Sequence, residues 1–487
     1  MAASLALAVT GVLALAGLGA TANAATVISS AAVARPVAPG FVGMSIELKA
    51  LEQYAGTDPA ALDPVLLRLI EQLAPGQRPV LRLGGDSTDW TWWPVRGMRQ
   101  PAGIRFTLTP QWMAVAHALA AQLNARLILG VNLEANSAAL AQAEGREMVS
   151  AIGSRAIDAL ELGNEPELYG TFGWYRTKSG HEIPGRPATW SLSDFIAQYT
   201  NYARLLPGVA LAGPSSGAAS WLGSLGRFLG AEPRVRLVTV HAYPLKHCTK
   251  ATVVTIGQLL ADSSSRGLAL GLTPYIRAAT RAGLPIRVDE MNGVSCGGTR
   301  GVSDSFASAL WMLDALFELA RAGVAGVNIH TVPNTINEVL GPVVAGGQWQ
   351  MRVHPEFYGM MMFAQAAPAG SRLLAVRSPL PAAIKVWATR APGGQLHVIV
   401  IDKRAHGATT LRLRIAGARG AASVERLTAP GLGATGGVTL GGQGFGAATA
   451  TGQLTGPAQT QLVGPTGGVY VVRVAAASAA MLTVSGR

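Results

Sequence analysis

The feature that most constrains the fold is a repeated alternation through the middle of the chain. Short runs rich in β-branched and apolar residues fall at 41–47, 80–84, 126–131, 157–164, 209–213, 237–242, 286–290 and 324–330. Longer stretches with helical periodicity lie between them, among them 59–73, 110–123, 192–206, 273–282 and 303–322. Several of these open on helix-start signals, such as Asp58 before Pro59 and Ser191 or Ser193 ahead of Phe195. Eight strand-plus-helix units is the count of a closed parallel barrel, whereas an open doubly wound sheet usually stops at about five to seven strands. The expected class is therefore α/β, with a (β/α)8 TIM barrel over residues 41–369.

The chain has 487 residues, well beyond the roughly 250 of one barrel, so a second domain is expected. After Gly370 the helical periods vanish, and runs such as 383–388, 396–401 and 468–474 alternate with Gly-, Thr- and Pro-rich turns. That texture predicts a C-terminal β-sandwich over 370–487. Residues 25–40 contain a strand-like stretch expected to join the sandwich from the other end of the chain. The Gly/Ala-rich stretch 431–456 carries alternating Val, Leu and Phe, which favours loose hairpins over a disordered linker. Residues 1–24 are almost wholly Ala, Leu, Val and Gly and end in Ala22-Asn23-Ala24, a small-x-small pattern that reads as a signal peptide. No Lys or Arg precedes the apolar run. It is short for a bilayer span and broken by Gly and Thr, which disfavours a membrane anchor. The expected location is secreted or periplasmic, with no membrane-embedded segment in the mature chain.

The formal charge of +12 and pI near 10.1 allow a polyanionic partner. Lys and Arg are spread singly, however, and no basic block is interleaved with aromatic residues, which excludes a nucleic-acid-binding reading but leaves an acidic glycan open. The two cysteines, Cys248 and Cys296, follow the sixth and seventh strand-like runs. They are read either as a disulfide tying two neighbouring loops or as a pair of buried thiols.

Chemistry in a parallel barrel collects at the carboxyl ends of the strands. The fourth run ends Asn164-Glu165-Pro166 and the seventh ends Asp289-Glu290-Met291, so two glutamates emerge at one rim. Such a pair can cleave a glycosidic bond, one carboxyl protonating the leaving oxygen and the other attacking the anomeric carbon. A separation of about 5 to 5.5 Å suits this retaining route, and about 6.5 to 9.5 Å suits an inverting water. Arg82 is a cation on a strand otherwise suited to the core, so it demands a carboxylate partner. If Glu290 is that partner, the cation keeps the nucleophile ionised, while Glu165 carries the proton from a less polar niche; an internal bridge elsewhere in the barrel is the alternative. His241 and Tyr243 close the sixth strand, where the phenol either orients the nucleophile or simply packs. Glu47 and Asp86 are placed to grip sugar hydroxyls. Trp90, Trp92 and Trp93 form either sugar platforms or a buried plug. No Gly-x-Ser-x-Gly elbow is present and the eight histidines are scattered, so neither serine-hydrolase chemistry nor a metal or organic cofactor is expected.

The stretch Glu290-Met291-Asn292-Gly293-Val294-Ser295-Cys296-Gly297-Gly298, the Asn164-Glu165-Pro166 element, the strand at 81–85 and the appended β-domain together resemble glycoside hydrolase family 79 of clan A, the heparanase and β-glucuronidase group. The likeness covers nearly the whole mature chain. It implies Glu165 as acid/base, Glu290 as nucleophile, Asn164 as a binder of the 2-hydroxyl and Glu47 of hydroxyls further round the ring. It also implies that the Gly297 N–H meets a uronate carboxylate, so that a glucuronide or acidic glycan is the substrate. Two departures stand out. Ser295 occupies a position where the family usually has Tyr, and the loop 331–343 offers Asn334 and Asn337 but no Tyr. A neutral-sugar β-glycosidase is accordingly the nearest alternative, and a carbohydrate-binding barrel without catalysis the next.

Overall fold

The computed structural model describes residues 25–249 and 251–486; the signal peptide expected over 1–24 lies outside the described residues. Strand β1 spans Thr26–Ala32. Eight parallel strands then close into a barrel in chain order: β2 (Val42–Glu47), β3 (Val80–Gly84), β4 (Arg126–Val131), β5 (Ile157–Leu162), β6 (Leu211–Ser216), β7 (Val235–Ala242), β8 (Ile286–Met291) and β9 (Gly326–Thr331). β9 pairs back onto β2, with Asn328 beside Gly43 and His330 beside Ser45. The longer helices around them are α1 (Pro64–Leu73), α2 (Pro110–Gln122), α3 (Ala138–Ile152), α4 (Leu192–Ala203), α5 (Leu268–Arg281), α6 (Phe306–Ala322) and α7 (Pro355–Ala366).

Boundaries move from expectation where local chemistry competes. The first long helix begins at Pro64, because Asp63 accepts the Val65 N–H at 2.8 Å as its cap. Asp58 instead closes a turn, taking the Ala60 N–H at 2.9 Å. The fourth barrel strand stops at Leu162 rather than Asn164, since Gly163 turns to φ +78° and Glu165 follows in the left-handed region. The fifth runs to Ser216 rather than Gly213. Helix α5 starts at Leu268, five residues ahead of the expected start, and carries Pro274 inside it.

Helix α6 is buried from Phe306 to Ala320 on every side, and a helix apolar all round requires a second layer outside it. That layer is the C-terminal sheet. Its main strands are β10 (Arg372–Arg377), β11 (Ile384–Arg390), β12 (Leu396–Asp402), β13 (Ala408–Ile415), β14 (Arg419–Thr428), β15 (Tyr470–Ala475) and β16 (Ser478–Ser485), in the order β14-β16-β12-β11-β10-β1-β13-β15. β1 completes the sheet, antiparallel to β10 and parallel to β13. The sheet folds over itself around Ile28, Leu413, Val472, Val400 and Leu482. The other face of β11, β12 and β16 presents Trp387, Ile399, Ile401 and Met481 to the barrel core. The molecule is thus layered as barrel, inner half-sheet, outer half-sheet. No helix among the described residues is long and apolar enough to cross a membrane.

Two contacts weld the layers. Phe445, within the stretch 431–456, packs on Phe357 and Tyr358 of α7, with ring centroids 6.0 and 5.3 Å away. The carbonyls of Leu432 and Ala434 accept the N–H groups of Ala307 and Phe306 at 2.9 and 2.8 Å, capping α6, whose own N-cap residue Ser305 makes no side-chain cap bond. The second weld is polar. Asp314, fully buried on α6, accepts hydrogen bonds from Lys403 Nζ at 2.6 Å, Ser265 at 2.6 Å and the Trp387 indole at 2.9 Å. Burial opposes ionising Asp314, but Lys403, with Lys385 further off, outweighs it and holds the carboxyl below its ordinary value.

Asp314→Ala leaves the buried Lys403 unpaired and is expected to lower unfolding free energy by about 3 kcal/mol in denaturant titrations. Because the folded pKa of Asp314 is depressed, its contribution is present above the unfolded value and lost as pH falls through the folded one. The wild-type should therefore lose stability below about pH 4, and the variant should lack that component of the acid limb.

Candidate active site

The interior of the barrel is ordered by one buried cation. Arg82 on β3 is wholly inaccessible to solvent, and its Nε donates to Glu161 Oε2 at 2.7 Å and faces Asp289 Oδ2 at 3.0 Å. Nη1 donates to Glu290 Oε2 at 2.7 Å and Nη2 to Asn164 Oδ1 at 2.8 Å. One guanidinium thus ties the inward side chains of β5 and β8 to Glu290 and Asn164. Burial works against the charge, yet Glu161, Asp289 and Glu290 hold Arg82 firmly protonated. Burial and the neighbouring Glu161 push Asp289 well above its ordinary value against the pull of Arg82 and His241, while Arg82 holds Glu161 below its own.

Glu290 sits at the end of β8, its side chain only 9% exposed. Tyr243 donates to its Oε1 at 2.8 Å while Arg82 holds Oε2. Burial alone would raise its pKa, but His330, His241, Arg82 and the Tyr243 hydroxyl together hold it well below the usual carboxylate range. Glu290 is therefore ionised and aimed, as a nucleophile must be.

Glu165 is reached through a sharp local turn. Gly163 at φ +78° and Glu165 at φ +45° swing the chain out of β5, and the Glu165 N–H is fixed to the Ser215 carbonyl at 2.9 Å. A non-glycine residue in this left-handed region costs roughly 1 kcal/mol, held here by the neighbouring strand. The surroundings of its carboxyl are polar rather than apolar, which corrects the expected niche. Oε1 meets His241 Nδ1 at 3.0 Å, and the side chain stays a quarter exposed. Burial pulls His241 down, but Glu290, Glu165 and Asp289 outweigh it and push the ring up to about 10. An imidazolium Nδ1–H then donates to Glu165, and Nε2–H to Ser215 Oγ at 3.1 Å. Oxygens of Glu165 and Glu290 come within 4.8 Å of each other, with His241 between them. That approach lies on the side of the retaining spacing of about 5 to 5.5 Å rather than the inverting one of about 6.5 to 9.5 Å.

The rim beside this pair is also acidic. Glu47 at the end of β2 accepts the Ser87 N–H at 2.8 Å and the Asp86 N–H at 3.2 Å, and faces His330 at 3.5 Å. Gly85, at φ +74°, has no room for a Cβ, which would lie 2.5 Å from Glu47 Oε1. Asp86 accepts from Asn164 Nδ2 at 3.2 Å. Desolvation, together with Glu47, Glu290 and Glu165, raises Asp86 to about 7, so this pocket-facing carboxyl titrates near neutrality.

Cys248 and Cys296 are joined by a disulfide with Cα atoms 5.1 Å apart. Beside it Leu245–Lys246 pairs in parallel with Val294–Ser295, so the loops after β7 and β8 form one unit. Gly297 lies exposed next to the bridge at φ +86°, apart from the carboxylate cluster. The tryptophans do not form three platforms. Trp92 is buried with Ile104, Leu140 and Trp174, Trp93 packs against the barrel core, and Trp90 lies under Arg105 and Lys49 at 4.4 and 4.9 Å.

Sequence reasoning missed Glu161, Asp289, Ser215, His330 and Asp89. The cost of an unpaired buried Arg82 was itself the signal for the first two, since both are charged residues on strands whose neighbours are apolar. Asp89 carried no such signal in the Trp-rich loop. It is 2% exposed and gathers the N–H groups of Leu133, Glu134 and Asn164 at 2.9, 3.1 and 2.9 Å, plus the Tyr169 hydroxyl at 2.6 Å. Three loops of the rim are thereby pinned to one carboxylate.

Asp89→Asn replaces an acceptor-only group with a half-donor and lets the Asn164-Glu165 turn drift. A fall of about 100-fold in kcat is expected, the effect of misplacing a catalytic group by about 1 Å. Steady-state kinetics on an aryl glycoside would measure it, and an unchanged kcat would remove Asp89 from the positioning network.

A model of the glycosyl hydrolase family 79 C-terminal beta domain matches residues 387–481. A β-glucuronidase of Neurospora crassa is 24% identical over 369 residues, covering 65% of this chain and 63% of the fungal protein. A β-glucuronidase of Aspergillus niger is 23% identical over 382 residues, covering 72% and 68%. The chain thus spans a little under two thirds of the Neurospora relative. Among solved structures, a 4-O-α-L-rhamnosyl-β-D-glucuronidase from Fusarium oxysporum 12S superposes with a TM-score of 0.75 at 18% identity, over 94% of this chain and 100% of that one. A family 51 arabinofuranosidase from Xanthomonas axonopodis pv. citri gives 0.65 at 13% identity, over 95% and 99%. These two show the shared barrel-plus-sheet fold. Residues 387–481 thus match the C-terminal beta domain of glycoside hydrolase family 79, and the β-glucuronidase relatives support the same family for the chain.

Proposed function

We propose that the protein is a retaining glycoside hydrolase of the β-glucuronidase/heparanase type, cleaving β-linked uronic acid glycosides by double displacement. The observation that carries this reading is the approach of the Glu165 and Glu290 oxygens to within 4.8 Å. Glu290 attacks the anomeric carbon as Glu165 gives its proton to the leaving oxygen, and a glycosyl ester forms on Glu290. Glu165, now a base, takes a proton from water, which attacks the same carbon and frees Glu290. The difference in exposure suits these roles: the nucleophile meets only the sugar, while the acid/base must also meet the leaving group and water. Arg82 and Tyr243 keep Glu290 ionised and oriented, Asn164 is fixed on both amide atoms facing the sugar, and Glu47 and Asp86 receive hydroxyls.

Uronate selectivity is supported by the names of the relatives and by the disulfide-fixed loop that carries the exposed Gly297. A neutral-sugar reading is favoured by one observation. Ser295 Oγ lies 3.8 Å from the Cys248 sulfur, and the phenol that holds Glu290 comes from Tyr243 after β7 rather than from the loop after β8. Secretion belongs to the same proposal, since a disulfide persists in an oxidising compartment.

Glu290→Ala is expected to cut turnover by at least about 10⁴-fold, because no other group is placed to form the glycosyl ester. Glu165→Ala should lose most activity on substrates with poor leaving groups, and added azide should speed its turnover of nitrophenyl glycosides by taking the sugar from Glu290, giving a β-glycosyl azide. Wild-type-like turnover by Glu290→Ala would refute the assignment. Nitrophenyl glucuronide should be hydrolysed in preference to the glucoside and galactoside, and the reverse order would establish the neutral-sugar reading.

A further inference from the structure

The positive charge of the chain is not evenly shared. Beyond Gly370 lie 12 of its 39 Lys and Arg residues but only 2 of its 27 acidic ones, which leaves ten of the twelve net positive charges in the C-terminal sheet. Both acids are engaged locally. Asp402 is buried and bridged to Arg404 at 2.6 Å, and Glu425 is packed against Gly441.

The register gathers four of them on one surface. In β13 the alternation Leu411-Arg412-Leu413-Arg414-Ile415 sends the aliphatic side chains into the sandwich core and the two arginines outward. Arg414 pairs with Val27 of β1, and Val27 pairs in turn with Arg377 of β10, so two arginines flank one valine across three strands. Arg412 stands opposite Val471 of β15, and Arg473 stands opposite Thr410. All four arginines are exposed, and none has a carboxylate partner within 4 Å among the described residues. With neighbouring strands about 4.8 Å apart and residues about 3.4 Å apart along them, the four arginines share a patch roughly 20 Å along its diagonal. Like charges on adjacent strands destabilise a sheet, and a surface shaped only for solubility mixes both signs. This patch belongs to the outer half-sheet, the layer furthest from the barrel.

We propose that this face of the outer half-sheet is a second carbohydrate-binding surface, which holds an acidic polysaccharide while the barrel works on another part of the same material. Charge complementarity identifies the occupant. Planar guanidinium forks grip carboxylate or sulfate groups bidentately, and the array matches a polymer carrying such groups at intervals. Val27 and Val471, 39% and 45% exposed, offer apolar contact for sugar ring faces between the charges. Single-stranded nucleic acid would call for aromatic stacking platforms, and the patch has none. An anionic bilayer would call for larger apolar side chains to enter the interface. The choice of a uronate-bearing polymer rests on the hydrolase reading of the barrel.

The test is affinity electrophoresis of the full chain through gels containing polygalacturonate, with dextran gels as the neutral control. A variant with Arg377, Arg412, Arg414 and Arg473 each replaced by Gln is compared with one in which the exposed barrel residues Arg146, Arg155, Arg277 and Arg281 are replaced by Gln, so that both lose the same charge. The patch variant should bind at least about tenfold more weakly than wild type, and the barrel variant close to wild type. Wild-type retardation should also fade with added salt. Should the fourfold variant fold poorly, Arg412→Gln/Arg414→Gln serves in its place. Equal losses in both variants would show a net-charge effect and overturn the proposal. So would retardation by dextran, or patch-dependent binding to phosphatidylglycerol vesicles without binding to polygalacturonate. Hydrolysis of nitrophenyl glucuronide should be unchanged in the patch variant. Patch-dependent polygalacturonate binding by a protein that hydrolyses no glycoside would sink the barrel reading and leave the patch standing; hydrolysis with patch-independent binding would do the reverse.

Discussion

The buried guanidinium of Arg82 is the interaction on which the rest of the site depends. A charge so far from water survives only if every N–H finds an acceptor, and in meeting that demand Arg82 draws together β3, β5 and β8 and the turn that carries Asn164. The same contacts that make the cation tolerable make Glu290 anionic. The polar core of the barrel therefore cannot be exchanged for an apolar one without losing what holds Glu290 as an anion.

Electrostatic balance extends outward from that centre. Arg82, His241 and His330 are set among Glu161, Glu290 and Glu47, while burial and Glu161 push Asp289 well above its ordinary value. Asp86, at the edge of the cluster, titrates closest to neutrality. Carboxyl groups within one pocket thus hold different protonation states because each sees a different set of cations.

The barrel was legible because its evidence is periodic: a strand buried on both faces reads as an apolar run, and Asn164-Glu165-Pro166 marks a strand end by its proline. Boundaries were less legible, since Asp58-Pro59 and Asp63-Pro64 carry the same cap chemistry and only packing decides which is used. Among site residues, those at strand ends stood out by position. Asp89 did not, because it acts through backbone N–H groups of two other loops, and a backbone amide leaves no mark in a sequence. The tryptophan loop was ambiguous for another reason: an indole suits a sugar face and a protein core equally, and Trp92 went to the core.

The place of β1 has a temporal consequence. Its partners β10 and β13 lie more than three hundred residues downstream, and it is wedged between them at the middle of the outer layer. A ribosome delivers the barrel long before it delivers either neighbour, so Thr26–Ala32 must wait as an open edge while the whole catalytic unit assembles beside it. Such an edge is a template for pairing with other chains, and nascent molecules of this protein therefore pass through an aggregation-sensitive interval that ends only when the last strands arrive.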